Sequence, residues 1–189
     1  MLLKCVRCCA MLAVCLLLNT KLMAQPWHQL TMDDFQGVPP GSNSAYVAYT
    51  NCQIQYSYDA RKRNGQYVLT FYVNMAMNHN KSWMNKVHVM ETGLLDEVLR
   101  HEQGHYNMAY LEQQELLQAF NQIRYGPNYQ YQINQIFNTI DTKYRNLNQD
   151  YEMDSMHMLN RQKQSEWNAW FRDQINSYRN YAYNRNERW

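Results

Sequence analysis

The stretch Leu94 to Ile123, LLDEVLRHEQGHYNMAYLEQQELLQAFNQI, decides the fold prediction. Its apolar residues recur at helical spacing and Gly126-Pro127 follows as a stop, so the sequence predicts one long helix. On a helical projection, His101, Glu102 and His105 fall on the apolar side. That side also carries Leu94, Val98, Ala109, Leu116 and Phe120, and the opposite side carries Arg100, Asn107, Gln114 and Gln118.

His101 and His105 are four residues apart, so on a helix their imidazoles face the same way and can hold one metal ion. Glu102 would then lie where a water bound to that metal would sit. Burying these three groups without partners costs several kcal/mol, and a metal would satisfy all of them. The alternative is a helix whose histidines have ordinary hydrogen-bond partners and whose Glu102 caps the helix or pairs with a base.

Catalytic zinc takes three protein ligands and keeps a fourth position for water, so a third ligand is required. Glu112 lies on the correct face, but seven residues of helix past His105 give roughly 10 Å of axial rise, too far for the same ion. His157, Glu152 and Asp154, between two later helices, are the candidates. The remaining histidines, His28, His79 and His88, are interpreted as ordinary polar residues.

The first 24 residues are typical of a secretory signal peptide. Lys4 and Arg7 precede an apolar run at residues 10–18, and Ala24 ends the cleavage site. The run is too short to span a bilayer, so no transmembrane segment is expected in the mature chain. The sequence therefore predicts a secreted or periplasmic protein. A lipid anchor at Cys15 is the minor alternative.

Removing residues 1–24 changes the charge and the cysteine content. Three of the 18 basic residues lie there and no acidic ones, which leaves 15 basic against 16 acidic residues. Nothing in this balance favours nucleic acid as a partner. Cys52 becomes the only cysteine, which excludes an internal disulfide and a thiolate metal cluster.

The other elements are predicted from periodicity. Alternating apolar residues at 52–58 and 67–75 flank Asn64-Gly65, which is typical of a β-hairpin. Apolar residues at helical spacing predict a second helix over 133–147 and a third over 159–175. Strands early and helices late make the fold class α+β, with one domain at 25–178. Residues 179–189 are expected to form a flexible C-terminal tail.

The chain resembles an uncharacterised bacterial family, a domain of unknown function described as predicted secreted zinc-dependent proteases. The family pattern has a Trp and an Asp-Phe near the mature start, then Ser-Trp, then L-x-H-E-Q-G-H-F-x-x-A-E, Y-D-x-x-T-x-H-G and Q-x-x-W. The corresponding residues here are Trp27, Asp34-Phe35, Ser82-Trp83, Leu99 to Ala109, Tyr151, Ser155, His157, Gln164 and Trp167. They extend over nearly the whole mature domain.

The resemblance implies a small zincin-like domain in which His157 is the third zinc ligand and Glu102 the catalytic base. Tyr110 replaces a glutamate of the family pattern, Glu152 an aspartate and Ser155 a threonine. Met158 replaces a glycine, and a glycine there would permit a backbone turn that a side chain resists.

The resulting hypothesis is a secreted zinc peptidase in which His101, His105 and His157 hold the metal and Glu102 moves the proton. Tyr151 is expected to donate a hydrogen bond to the developing oxyanion. The substrate would be a peptide or protein. Two alternatives stay open: a non-catalytic secreted or envelope-associated binding module with a structural metal, and a zinc amidase acting on cell-wall peptides.

Overall fold

The structure is a computed structural model that describes residues 27–41 and 46–186, with side chains up to Arg179. The expected signal peptide, including Cys15, lies outside the described residues, as do residues 187–189. None of the helices in the described part of the chain combines the length and the apolar character needed to cross a membrane. Whether residues 179–189 form a flexible tail stays a prediction.

The elements follow one another in the order predicted for an α+β fold. The strands are β1 (Ala48–Tyr49), β2 (Cys52–Arg63), β3 (Gln66–Met77) and β4 (Trp83–Met84), and the helices are α1 (Lys86–Glu91), α2 (Leu95–Gln122), α3 (Tyr129–Ser155) and α4 (Arg161–Asn186). Among the described residues the strands form two separate antiparallel pairs, β1 with β4 and β2 with β3. The α+β class is confirmed.

The long hairpin β2–β3 forms where the sequence predicts it. Asn64 and Gly65 both have positive φ, as a two-residue turn between right-handed twisted strands requires. The alternating pattern puts one face of the hairpin on α2, where Phe71 stacks on Phe120 at 4.6 Å. On the same face, the side chain of Gln113 donates a hydrogen bond to the carbonyl of Val73.

Helix α2 is the centre of the molecule and is covered on nearly every side. The hairpin packs on one side, while α3 and α4 pack on others. The expectation that Asn107 lies on an outer polar face is therefore wrong. Asn107 is buried and accepts hydrogen bonds from Trp27 and Gln103, so the N-terminal segment covers the face that the projection left to solvent.

Helix α3 runs antiparallel to α2, because residues late in α3 contact residues early in α2. Asn148 reaches His105, whereas Tyr144 reaches Glu115 further along α2. A five-residue connection, residues 156–160, then leads into α4, which returns across α2. The core between the three helices includes Leu111, Leu116, Ile133, Ile140, Tyr151 and Phe171. This arrangement brings the start of α2, the end of α3 and the start of α4 together.

Candidate metal centre

His101 and His105 lie one turn apart on α2 and their Nε2 atoms are 3.3 Å apart. The Nδ1 atom of each imidazole lies within hydrogen-bond distance of a side-chain amide oxygen. Nδ1 of His101 lies 3.2 Å from Oε1 of Gln164, and Nδ1 of His105 lies 2.7 Å from Oδ1 of Asn148. Because an amide oxygen only accepts, each Nδ1 carries a proton, so the neutral form of each imidazole has its free lone pair on Nε2.

Glu152 of α3 reaches the two histidines from the side. Its Oε1 lies 2.8 Å from Nε2 of His105 and 3.7 Å from Nε2 of His101. Its Oε2 lies 2.6 Å from Nδ1 of His157, but not in the geometry of a hydrogen bond, and this buried oxygen has no hydrogen-bond partner among the described residues. A buried carboxylate oxygen without a hydrogen bond calls for another source of positive charge.

His157 belongs to the turn between α3 and α4. Met156, His157 and Met158 all have positive φ, at 48°, 52° and 77°. Side chains disfavour this left-handed region by roughly 1–2 kcal/mol per residue. The family pattern has a glycine where this chain has Met158, and the positive φ of Met158 is the conformation that a glycine adopts without strain. The strained turn carries the imidazole of His157 to Glu152, where it also meets the ring of Tyr46 edge-on.

These donor atoms fit a zinc ion. Zn–N bonds of about 2.0–2.1 Å place two nitrogens that share a tetrahedral zinc roughly 3.3 Å apart. The Nε2 atoms of His101 and His105 have this separation, and Oε1 of Glu152 completes a triangle with sides of 2.8 and 3.7 Å. Ligand atoms of His101, Glu152 and His157 also lie within 4.8 Å of one another. A proton on His105 would satisfy one of these contacts, whereas a divalent cation satisfies all of them.

The candidates for the third ligand separate clearly in space. Glu152 contacts both His101 and His105, and a ligand atom of His157 lies within 4.8 Å of ligand atoms of His101 and Glu152. The carboxylate of Asp154 instead accepts a hydrogen bond from the indole of Trp167. Among the other histidines, His28 and His79 contact Asp34.

The charges of the cluster shift the pKa values of its members. Burial alone would lower the pKa of His105, but the hydrogen bond to Glu152 and the charge of Glu102 outweigh burial and raise it. Burial works to raise the pKa of Glu152, yet the hydrogen bonds to His101 and His105 hold it well below the usual range. Glu152 is therefore an ionised acceptor at neutral pH, as a metal-binding carboxylate must be.

Glu102 lies in the same cleft as the histidines and is only 4% exposed. Its Oε2 accepts a 2.7 Å hydrogen bond from the hydroxyl of Thr50, which directly follows β1. This bond orients the carboxylate and leaves it able to accept further hydrogen bonds. Sequence reasoning missed Thr50, and it missed Asn148 as the partner of His105, because a lone polar residue distant in sequence gives no pattern.

Tyr151 lies behind the histidines and is completely buried. Its ring stacks on His101 at 5.0 Å, and its hydroxyl donates a 2.8 Å hydrogen bond to the backbone carbonyl of His101. Gln164 contacts the same hydroxyl. Tyr151 was expected to face a substrate oxyanion. The structure instead buries its hydroxyl against the backbone carbonyl of His101, so Tyr151 positions His101.

Gly104 permits this arrangement. A Cβ atom at residue 104 would lie 2.3 Å from the hydroxyl oxygen and 2.4 Å from Cζ of Tyr151. Such distances are far inside van der Waals contact, so only glycine lets α2 approach the tyrosine ring this closely. The glycine within the His101 to His105 stretch therefore has a packing reason.

A cleft of about 840 Å³ opens over the cluster. One wall is the segment from Tyr46 to Thr50, which contains β1, and another is the end of α3 with the turn that follows it. The floor is α2, from Val98 to Glu112. A cavity of this size accommodates a small ligand or a short stretch of extended chain.

The fold and the cluster define an α+β protein with a candidate metal centre of two histidines, a glutamate and a third histidine in an open cleft. The chain belongs to a bacterial protein family of unknown function, DUF922, whose pattern matches residues 30–158, about two thirds of the chain. The resemblance to a bacterial domain of unknown function is thus confirmed at the level of the family. No curated protein matches the chain, and no solved structure does either.

Proposed function

We propose that this protein is a secreted zinc-dependent peptidase with a zincin-like site that hydrolyses amide bonds. The observation that carries the proposal is the convergence of His101, His105, Glu152 and His157 beside the buried carboxylate of Glu102, in one open cleft. A structural metal site needs no open face and no adjacent base, whereas a catalytic one needs both.

His101 and His105 supply two zinc ligands through Nε2, and the third comes from the contacting pair Glu152 and His157. Oε1 of Glu152 faces both histidine nitrogens, while His157 approaches Oε2 from the exposed side. Gln164 and Asn148 hold the Nδ1 atoms and fix the tautomer in which both Nε2 atoms can bind a cation. When bound, zinc supplies a Lewis acid that polarises a carbonyl and acidifies water.

Glu102 acts as the base and later as the acid. Its carboxylate takes the proton from the attacking water and returns it to the leaving amine. Thr50 donates to one oxygen of Glu102, which holds the carboxylate in a fixed orientation during this transfer. Tyr151 takes a different role from an oxyanion donor: it fixes the backbone of α2 at His101 from behind the site.

The substrate is proposed to lie along β1. The segment from Tyr46 to Thr50 lines the cleft, whereas the described residues of the hairpin edge at 67–77 do not. β1 pairs with β4 on one side, and a peptide could add to the other side by main-chain hydrogen bonds. Export is proposed from the N-terminal pattern of Lys4, Arg7 and the apolar run at 10–18.

Glu102→Gln tests the proposal. The variant keeps the size of the side chain and removes the base, so peptide hydrolysis should fall by at least 10²-fold while zinc content and the unfolding temperature stay near those of the wild type. Glu97→Gln, on the same helix and bonded to Arg161, is the matched control and should keep full activity. Turnover by Glu102→Gln at the wild-type rate would overturn the assignment.

The substrate assay should run in two arms, unfolded protein and cell-wall peptides, because a peptidase and a wall amidase cleave amides with the same groups. Hydrolysis confined to wall peptides would identify an amidase. A protein that carries zinc but cleaves neither substrate would instead be the binding module.

A further inference from the structure

The cleft continues past the metal centre along the groove between α2 and α3. Beyond His105 and Asn148, its lining includes Ala109, Glu112 and Arg145. This far end plays no part in holding the metal. Its chemistry is therefore free to serve another purpose.

Glu112 is an acidic group at this end that forms no ion pair with any described residue. Its Oε1 is buried and has no hydrogen-bond partner within the described part of the chain. The nearby Arg145 forms an ion pair with Asp141 at 2.8 Å. Glu115, one turn further along α2, is held by Lys143 and by the hydroxyl of Tyr144. Within the described part of the chain, the ion pairs of Arg145 and Lys143 are thus formed with other carboxylates.

The environment of Glu112 is unfavourable for its own charge. Burial, together with the charge of Asp141, raises the pKa of Glu112 to about 7, although Arg145 acts in the opposite direction. A carboxyl group that lines a cleft, costs folding free energy and has an unpartnered oxygen is characteristic of a binding site. An incoming cation would supply the missing partner and favour the ionised form.

The distance from the metal centre suits a peptide substrate. Glu112 is seven residues past His105, which places it about 10 Å further along the helix axis. An extended chain advances about 3.3 Å per residue, so this distance corresponds to about three residues from the bond at the metal. A long basic side chain closer to that bond would also reach it.

We propose that Glu112 forms a subsite that binds a positively charged group of the substrate, within about three residues of the cleaved bond. The group is either a basic side chain or a free amino terminus. The inference rests on the proposed peptidase function, and it adds a preference for cationic substrates.

The experiment compares cleavage of synthetic octapeptides by the zinc-loaded wild type, Glu112→Gln and Glu115→Gln. One set is end-blocked with a lysine at each position in turn, and a second set has acetyl-lysine there. A third set has a free amino terminus and no lysine. The wild type should favour a charged peptide over its neutral match by roughly tenfold in kcat/KM, the effect of one charge-assisted contact of about 1.4 kcal/mol.

In Glu112→Gln the ratio of charged to neutral kcat/KM should fall close to one, while Glu115→Gln should keep the wild-type ratio. The set that carries the preference identifies the source of the charge, lysine or amino terminus. Equal rates for lysine and acetyl-lysine peptides with the wild type would overturn the proposal, even if Glu112→Gln failed to fold.

If the wild type cleaves none of the peptides, the peptidase proposal fails, and binding then decides the subsite separately. Fluorescence anisotropy of labelled lysine and acetyl-lysine octapeptides with Glu102→Gln should give tighter binding of the charged peptide. In the double variant that carries Glu102→Gln and Glu112→Gln, the two peptides should bind with equal affinity. Equal affinities in Glu102→Gln would overturn the inference.

Discussion

At the scale of single residues, the site depends on hydrogen bonds that aim the histidines. Gln164 accepts from Nδ1 of His101 and also contacts the hydroxyl of Tyr151, so one amide fixes both. Groups that orient metal ligands in this way commonly contribute 10- to 100-fold to metal affinity.

Gln164→Ala should therefore weaken zinc binding by about 10- to 100-fold, because His101 loses the acceptor that fixes its ring and tautomer. The dissociation constant is measured by competition with a zinc chelator. Gln162→Ala is the control, since Gln162 lies on the surface of the same helix and bonds only to Glu166 among the described partners. Unchanged affinity in Gln164→Ala would contradict the positioning role.

Glu112 gives a prediction for stability against pH. Its pKa is about 7 in the folded state against an ordinary 4.5, because burial raises it most, the charges of Asp141 and Glu115 raise it further, and Arg145 lowers it. Below pH 4.5 the group is protonated in both states and costs nothing. As pH rises from 4.5 to 7, the unfolded state ionises first, so folding stability is lost and the loss is complete above 7.

Glu112→Gln should accordingly be as stable as the wild type at pH 4 and more stable at pH 8, by about 1 kcal/mol after allowance for the partial exposure of the group. Urea unfolding at the two pH values measures the difference. A variant that is less stable than the wild type at pH 8 would show that the Glu112 carboxylate stabilises the fold instead of destabilising it.

The residues of the site were predictable to the extent that they share a local pattern. His101, Glu102 and His105 lie within one helical turn and a half, so spacing alone groups them. The closeness of Glu152 and His157 to His101 was not predictable from spacing, because it depends on how α3 ends. Neither was the inward position of Tyr151, since any aromatic residue on that face of α3 has the same sequence spacing.

At the scale of elements, the close packing of α2 on α3 is the feature that positions the histidines. Gly104 lets the ring of Tyr151 lie against the helix, beside the turns that carry His101 and His105. The turn with three positive φ values then directs His157 back toward the same place. The geometry of the cluster is thus a consequence of two backbone features.

Gly104→Ala should destabilise the protein by about 2 kcal/mol, because overpacking in a well-packed core outweighs the higher helix propensity of alanine. Thermal or urea unfolding measures the change. Gly126→Ala is the control, since a Cβ there would approach only the flexible side chain of Asn128, at 3.3 Å. A Gly104→Ala variant as stable as the wild type would refute the proposed packing constraint.

Elements with long periodic sequences were predictable, and short ones were not. The hairpin and the three long helices follow from alternation and from helical spacing. β1 and β4 have two residues each, too few for any periodicity, although β1 forms a wall of the cleft. The projection of α2 placed Asn107 on the outside because it assumed that one face of the helix meets solvent.

At the scale of the whole molecule, the donor atoms come from regions far apart in the chain. His101 and His105 lie on α2, Glu152 lies on α3, and His157 lies on the turn before α4. A bound metal would cross-link these elements and stabilise only the folded state. The folded protein should therefore gain stability as the zinc concentration rises above the dissociation constant.

The fold class was predictable at this scale because the order of strands and helices limits the architecture. The cleft was not predictable from the sequence. It forms where β1, α2 and α3 pack together, and no local sequence pattern indicates which elements will be neighbours. Family membership extends over residues 30–158, which includes every member of the cluster.

The most direct test of the central claim is the zinc content of the purified protein, measured by elemental mass spectrometry for the wild type, His101→Ala, His157→Ala and Glu152→Gln. We predict about one zinc per chain in the wild type and almost none in His101→Ala. Of the other two variants, the one that loses more zinc identifies the third ligand. A wild-type protein that binds no zinc, even after incubation with an excess of the ion, would contradict the account.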